Sequence, residues 1–166
     1  GDELKVPLNV HRDYGVPGYV GRDSLVIASS FSGNTEETLS GFDEAKKRGA
    51  KILAITTGGR LADEAKTLRL PLITFGYHAQ PRAALGYSLT LVMGVLTKLG
   101  LARDVGNEIE AALADVAKLE ERVREGARTN DAKKMAIELA GKIPVIYGAG
   151  VMGVMARRVK DQWNEN

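Results

Sequence analysis

Ser24-Leu25-Val26-Ile27-Ala28-Ser29-Ser30-Phe31-Ser32-Gly33-Asn34-Thr35-Glu36-Glu37-Thr38 is the stretch on which the reading of the fold turns. Its first half is an apolar, partly β-branched run and reads as a strand from Ser24 to Ser30. Its second half opens a helix: Leu39, Phe42 and Ala45 recur at helical spacing, Glu36 and Glu37 stand in the first turn, Lys46 to Arg48 in the last, and Gly49 marks the stop. Acids at the start and bases at the end both suit the helix macrodipole. A strand that passes through a glycine loop into a helix is the opening of a βαβ unit and calls for a parallel strand next.

Outward from this stretch the alternation continues. Further strands are expected at Leu4 to Val10, Lys51 to Thr56, Pro71 to Phe75 and Pro144 to Tyr147, with a helix from about Arg60 to Leu68 and another beginning at Pro81, a residue suited to the first helical position because its missing N–H had no partner there. From Val105 the apolar residues Ile109, Ala112, Val116, Leu119 and Val123 keep a four-and-three spacing, a narrow seam of the kind that packs against one partner. Gly126 to Asn130 reads as a linker, followed by a helix, the strand at Pro144 and a last helix reaching Trp163. The fold class is therefore α/β, a parallel sheet flanked by helices. Strand, glycine loop and helix occur twice, at Ser24 to Arg48 and at Pro144 to Trp163, which points to two related domains: 1–126, including the long helix, and the start of a second at 127–166.

The 166 residues suffice for one core domain and part of another, and the start at Gly1 suggests a piece of something longer. With 44% hydrophobic and 27% charged residues a packed core is expected. A formal charge of +2 without a basic stripe gives nucleic acid no footprint, and no apolar run is long enough for a membrane span. The lack of cysteine removes disulfides and thiolate chemistry and fits a cytoplasmic protein. His11 and His78 have no metal-ligand partner at helical spacing, so the histidines give no sign of a metal site.

The loop's chemistry is that of an anion site. Ser30, Ser32 and Thr35 supply hydroxyls, Gly33 lets the backbone come close, Asn34 adds an amide, and the helix start offers unpaired N–H groups of partial positive charge. In a parallel sheet such a loop lies at the carboxyl ends of the strands, where ligands bind. A capping box of Asn34 with Glu37 would also account for part of the pattern, although capping requires one hydroxyl rather than three.

Ser30-Phe31-Ser32-Gly33-Asn34-Thr35-Glu36-Glu37-Thr38 resembles the S-x-S-G-x-T-x-E-T signature of SIS domains, which bind phosphosugars. Together with Ile55-Thr56-Thr57-Gly58-Gly59-Arg60-Leu61-Ala62 and Gln80-Pro81-Arg82-Ala83-Ala84-Leu85, the chain looks like the bifunctional phosphoglucose/phosphomannose isomerases of archaea and bacteria. The resemblance implies a flavodoxin-like sandwich, a homodimer, and interconversion of fructose 6-phosphate with glucose 6-phosphate through an enediolate, with mannose 6-phosphate as a second aldose it allows. It implies a phosphorylated hexose as partner, Arg82 to steady the enediolate, and Glu165 of Trp163-Asn164-Glu165-Asn166 as the proton-shuttling base. Gly58 and Gly59, just after a strand, read as a tight turn that lets the ligand in and so lines the site, with a purely structural turn as the alternative. A first glycine loop and a catalytic histidine of that family have no counterpart in these residues.

Each assignment has a blander rival. Arg82 in the first turn of a helix and Glu165 near the end of one both oppose the macrodipole, and on sequence alone either is a solvated surface charge. Gly148-Ala149-Gly150-Val151-Met152-Gly153 fits the dinucleotide pattern G-x-G-x-x-G, yet the acidic residue expected about twenty positions on would fall past Asn166, so the rest of that fingerprint is absent from these residues. It reads instead as the first strand-to-helix turn of the second SIS domain. A non-catalytic phosphosugar sensor is the competing class of function.

Overall fold

A computed structural model describes residues 4–128 and 130–165. Gly1, Thr129 of the expected linker and Asn166 of the last quoted motif lie outside the described residues. The first unit covers residues 1–103 and the second 104–166.

The β-branched and alanine-rich runs of the first unit form β1 (Leu25–Ser29), β2 (Lys51–Thr56) and β3 (Leu72–Thr74), a parallel sheet in the order β1-β2-β3. Leu25 pairs with Lys51 and Ser29 with Ile55, while Thr56 pairs with Thr74, so the strands end together at their carboxyl edge. Parallel strands need crossovers, and these are the helices α1 (Glu36–Lys47) and α2 (Gly59–Thr67). Their apolar stripes, Leu39, Phe42 and Ala45 on α1 and Leu61 and Ala65 on α2, meet Ala28, Ile52 and Ala54 of the sheet in one core. Phe42 is 1% exposed, and truncating such a ring to alanine costs about 3–5 kcal/mol. Leu53 and Ile55, which alternate with these core residues along β2, are buried as well. A short 3-10 turn, Pro81–Ala83, precedes α3 (Leu85–Lys98).

The strand expected at Leu4 to Val10 is absent. That segment is irregular, with Val6, Leu8 and Val10 all exposed. Pro7 removes one ladder donor from the run, and the Lys5 amide donates to the Leu101 carbonyl at 3.1 Å, not to β1.

The second unit holds α4 (Gly106–Val123), α5 (Asp131–Leu139) and α6 (Val151–Asn164). Asn130 caps α5, its side chain accepting from the Lys133 amide at 3.0 Å and donating to the carbonyl of Val123. The strand expected at Pro144 to Tyr147 is not formed: Val145 and Tyr147 are 67% and 89% exposed, and the second unit offers no described strand with which to share ladder bonds. The middle of the apolar seam of α4 is exposed at Ala112, Val116 and Leu119, Ile109 and Val123 are half-buried, and no residue of α4 is buried. Among the described residues no helix is long and apolar enough to cross a membrane.

Candidate functional site

At the carboxyl end of β1 the chain turns at once into a ring of internal hydrogen bonds. Ser30, only 7% exposed, donates its amide to the Ile55 carbonyl at 3.1 Å and so still belongs to the sheet edge. Its Oγ accepts from the Gly33 amide at 3.1 Å and shares a hydrogen with Thr35 Oγ1 at 2.8 Å. The loop from Ser30 to Thr35 is thereby closed on itself. Gly33 sits in the left-handed region at φ +70, and a Cβ there would meet the Gly58 carbonyl oxygen at 1.9 Å.

The second strand-to-helix turn is locked into the first. Thr57 donates to the Phe31 carbonyl through both its amide, at 3.0 Å, and its hydroxyl, at 2.8 Å. The Leu61 amide reaches Gly33 O at 3.0 Å, and the Arg60 amide reaches Asn34 Oδ1 at 3.0 Å. Thr56, fully buried, accepts from the Gly58 amide at 3.2 Å and has the Gly58 carbonyl at 2.9 Å. Gly59, at φ +69, presses on the first loop so closely that a Cβ would fall 2.2 Å from Ser32 O, whereas a Cβ on Gly58 would meet nothing within 4 Å. Two turns from different crossovers thus form one rigid edge.

What this edge leaves open is specific. Ser32, Asn34 and Thr35 are exposed while Ser30 and Gly33 are buried. Ser32 Oγ accepts from the Asn34 amide at 3.2 Å, and an exposed hydroxyl so held keeps its hydrogen to donate elsewhere. Thr35 is the N-cap of α1 and makes no side-chain capping bond, its hydroxyl being turned to Ser30. The capping box of Asn34 with Glu37 is therefore not formed, because Asn34 is spent on the Arg60 amide. A helix start without a side-chain cap, beside an exposed serine, offers hydrogen-bond donors of the kind that suit an anion. Glu36, whose charge would oppose an anion there, accepts a hydrogen bond from Tyr14 Oη at 3.0 Å, which raises the Tyr14 pKa above its ordinary 10.0.

Behind the loop, α1 and α2 are joined by an ionic square. Lys46 lies 2.8 Å from Asp43 and 3.5 Å from Glu64, and Arg60 lies 2.6 Å from Glu64 and 3.6 Å from Asp43. The hydrogen bond from Lys46 leads in holding the Asp43 carboxyl below its usual value, and Asp43 in turn leads in raising Lys46.

The remaining predicted site residues stand elsewhere. Arg82 is half-buried in the 3-10 turn, where Ala83 and Ala84 donate to Gln80 and Pro81 at 2.9 and 3.0 Å. Pro81 therefore does not begin α3, and the expected conflict between Arg82 and that helix's dipole does not arise. Glu165 is the exposed C-cap residue of α6 in the second unit, its amide donating to Asp161 O at 3.2 Å. His11 and His78 are exposed. Gly148 to Gly153 lead into α6 with no strand before them, so the strand-to-helix context of a dinucleotide site is absent, as is the strand of the turn expected there.

An aromatic cluster escaped sequence reasoning. Phe31, between Ser30 and Ser32, meets Phe75 and Tyr77 edge-on with centroids at 6.1 and 6.3 Å, while Tyr87 stacks on Phe75 at 4.9 Å and leans on Tyr77 at 5.4 Å. The signal available was three aromatics following one strand, but nothing in their spacing says that they converge on the serine loop.

Comparison with known proteins gives the following. Residues 5–79 match the SIS domain, and residues 128–166 match the bacterial phospho-glucose isomerase C-terminal SIS domain. A bifunctional phosphoglucose/phosphomannose isomerase of Caldicellulosiruptor bescii is 46% identical over 99% of this chain and 50% of its own length. One from Aquifex aeolicus is 38% identical over 96% of this chain and 47% of its own. The chain thus spans about half the length of the curated relatives it matches. A solved Bacillus subtilis structure, assigned as a phosphosugar isomerase, superposes with a TM-score of 0.50 at 25% identity, over 75% of this chain and 38% of that one.

Proposed function

This chain belongs to the SIS family and is a homologue of the bifunctional phosphoglucose/phosphomannose isomerases, and from that premise we propose that the protein carrying it interconverts fructose 6-phosphate with glucose 6-phosphate and with mannose 6-phosphate. The observation that carries the reading is the interlocked pair of turns, with exposed Ser32 and the uncapped start of α1 facing outward from one rigid edge. A phosphate dianion suits that edge: amides and hydroxyls donate to it, and the positive end of the helix favours it.

Holding the phosphate fixes the distance from the sugar's far end to its reacting carbons, so binding energy gained remotely is used for positioning. The proton then moves between neighbouring carbons through an enediolate, with Glu165 as the base and Arg82 offsetting the charge that develops on oxygen. The chemistry proposed draws on no metal or redox cofactor. Ser30 and Asn34, on this reading, serve the loop more than the ligand, since both are occupied by bonds that shape it.

A coupled assay on the full-length protein tests the proposal directly. Formation of glucose 6-phosphate from fructose 6-phosphate is expected. If neither aldose appears while calorimetry still registers phosphosugar binding, the protein is a sensor rather than an enzyme.

A further inference from the structure

Gly76 to Ala84 holds one 3-10 turn and no other regular structure, and the backbone bonds recorded within it, from Ala83 and Ala84, are local ones. Arg82 stands in the 3-10 turn of this segment. Its two ends, however, are ringed: Tyr77 enters it, Tyr87 follows it in the first turn of α3, and the two rings touch at 5.4 Å. Tyr87 also stacks on Phe75, at the end of the third strand, with planes only 15° apart. Both Phe75 and Tyr77 meet the edge of Phe31. Phe31 is itself immobilised through its carbonyl, which takes two hydrogen bonds from Thr57, so the ring projects from a fixed point of the serine loop.

We infer that Phe31, Phe75, Tyr77 and Tyr87 form a clasp that ties the Arg82 segment to the serine loop, and that Tyr77 and Tyr87 are positioning residues for the isomerisation proposed above, on which this inference rests. The clasp works through ring faces and edges, not through hydroxyls. Edge-to-face and offset-stacked pairs have preferred geometries, so four rings joined in a closed cycle of contacts define an arrangement where an aliphatic cluster would permit several. Tyr87 is 40% exposed, more than a ring needed solely for core burial would be. Connecting the phosphate seat to the cation through Phe31 means that a substrate gripped at one end meets Arg82 at a set distance from it.

The test compares Tyr87→Leu, Tyr87→Phe and Tyr77→Leu in the full-length protein. Leucine keeps apolar bulk and loses the ring; phenylalanine keeps the ring and loses the hydroxyl. The clasp requires kcat to fall about 10- to 100-fold in each leucine variant with KM within about threefold, as for a misplaced catalytic group, and requires Tyr87→Phe to behave as wild type. Unchanged kcat in both leucine variants overturns it. So does an equal loss in Tyr87→Phe, which would assign the effect to the hydroxyl. Hydrogen exchange of the amides of residues 76–84 supplies a readout independent of activity: faster exchange confined to that segment is expected in the leucine variants. Should the wild-type protein isomerise nothing, the functional reading fails alone, and exchange still decides whether the rings hold the segment. Exchange as slow as in wild type overturns the clasp.

Discussion

The carbonyl oxygen of Gly58 occupies the place where a side chain on Gly33 would begin, 1.9 Å from the position of a Cβ. The relation is one-sided, since a Cβ on Gly58 would touch nothing within 4 Å. Gly33→Ala must therefore part the two turns and also hold alanine at φ +70, a conformation that costs an L-residue about 1–2 kcal/mol before the clash is counted. Loss of more than about 2 kcal/mol of stability is expected for Gly33→Ala and less than about 1 kcal/mol for Gly58→Ala. Urea denaturation of the two variants side by side decides it, and similar midpoints would refute the interlock.

The serines on either side of Phe31 should separate in the same way. Ser30 is 7% exposed and its hydroxyl satisfies the buried Gly33 amide, so Ser30→Ala should cost about 1–3 kcal/mol, the penalty for leaving that donor unpaired. Ser32 is exposed and supports only the Asn34 amide at 3.2 Å, so Ser32→Ala should leave the melting temperature nearly unchanged. Its effect is expected on phosphosugar binding instead, as a KM raised about 5- to 50-fold. An unchanged KM for Ser32→Ala would remove this hydroxyl from the phosphate seat.

These two contrasts mark where the sequence was legible and where it was not. Ser24 to Arg48 announced a strand, a glycine loop and a helix because each signal is local: apolar run, first-turn acids, last-turn bases. That Ser30 braces the loop while Ser32 faces outward depends on where the second turn lies, and no spacing within the motif encodes it. Asn34 illustrates the same limit, since its partner, the Arg60 amide, belongs to another crossover. Pro144 to Tyr147 failed for a different reason. Apolar and β-branched side chains record a willingness to be a strand, but a strand exists only with a neighbour to share its ladder bonds. The Phe31 clasp lay beyond reach because rings distant in sequence converge only once the strands are in register.

The ionic square between α1 and α2 gives stability a pH dependence of known sign. Asp43 is held below its ordinary 3.8, so what it contributes is whole above that value and is lost as pH falls through the lower folded one. Lys46 is raised above 10.5, and its share is whole below 10.5 and lost as pH rises through the folded value. Both side chains are about a third exposed, which limits the effect to about 1 kcal/mol. In urea titrations Asp43→Asn should lower the midpoint relative to wild type at about pH 7, and the two curves should converge as pH falls through the folded pKa of Asp43. A gap that persists in acid would mean that Asp43 acts through packing instead.

Arg82 and Glu165 are expected to act on kcat. Glu165→Gln keeps the shape and removes the proposed base, and a loss of about 100- to 10,000-fold is the range for general base catalysis. Arg82→Gln removes the charge proposed to offset the enediolate and should cost about 100- to 1,000-fold, with KM changing far less if the phosphate is held by the serine loop. Steady-state kinetics in both directions on the full-length protein check the pair. A change confined to KM in either variant would make that residue a binding group.

The last expectation concerns the second unit taken alone. None of α4, α5 and α6 buries a residue, and Leu113, Val116, Ile137, Val151 and Val154 are all more than half exposed. Ordering a backbone costs about 1–2 kcal/mol per residue, and only buried apolar surface offsets that cost at this scale. Helix propensity and the Asn130 cap do not replace it: isolated helices of nine to eighteen residues, such as α5 and α4, are marginal in water. A polypeptide of residues 104–166 should therefore be partly helical by circular dichroism, melt without a cooperative transition and bind a hydrophobic dye. Residues 1–103 contain the core around Phe42 and Ala54 and should melt cooperatively. A sharp thermal transition in the shorter piece, with no dye bound, would show that its apolar faces find one another, contrary to the exposure of α4, α5 and α6 described above.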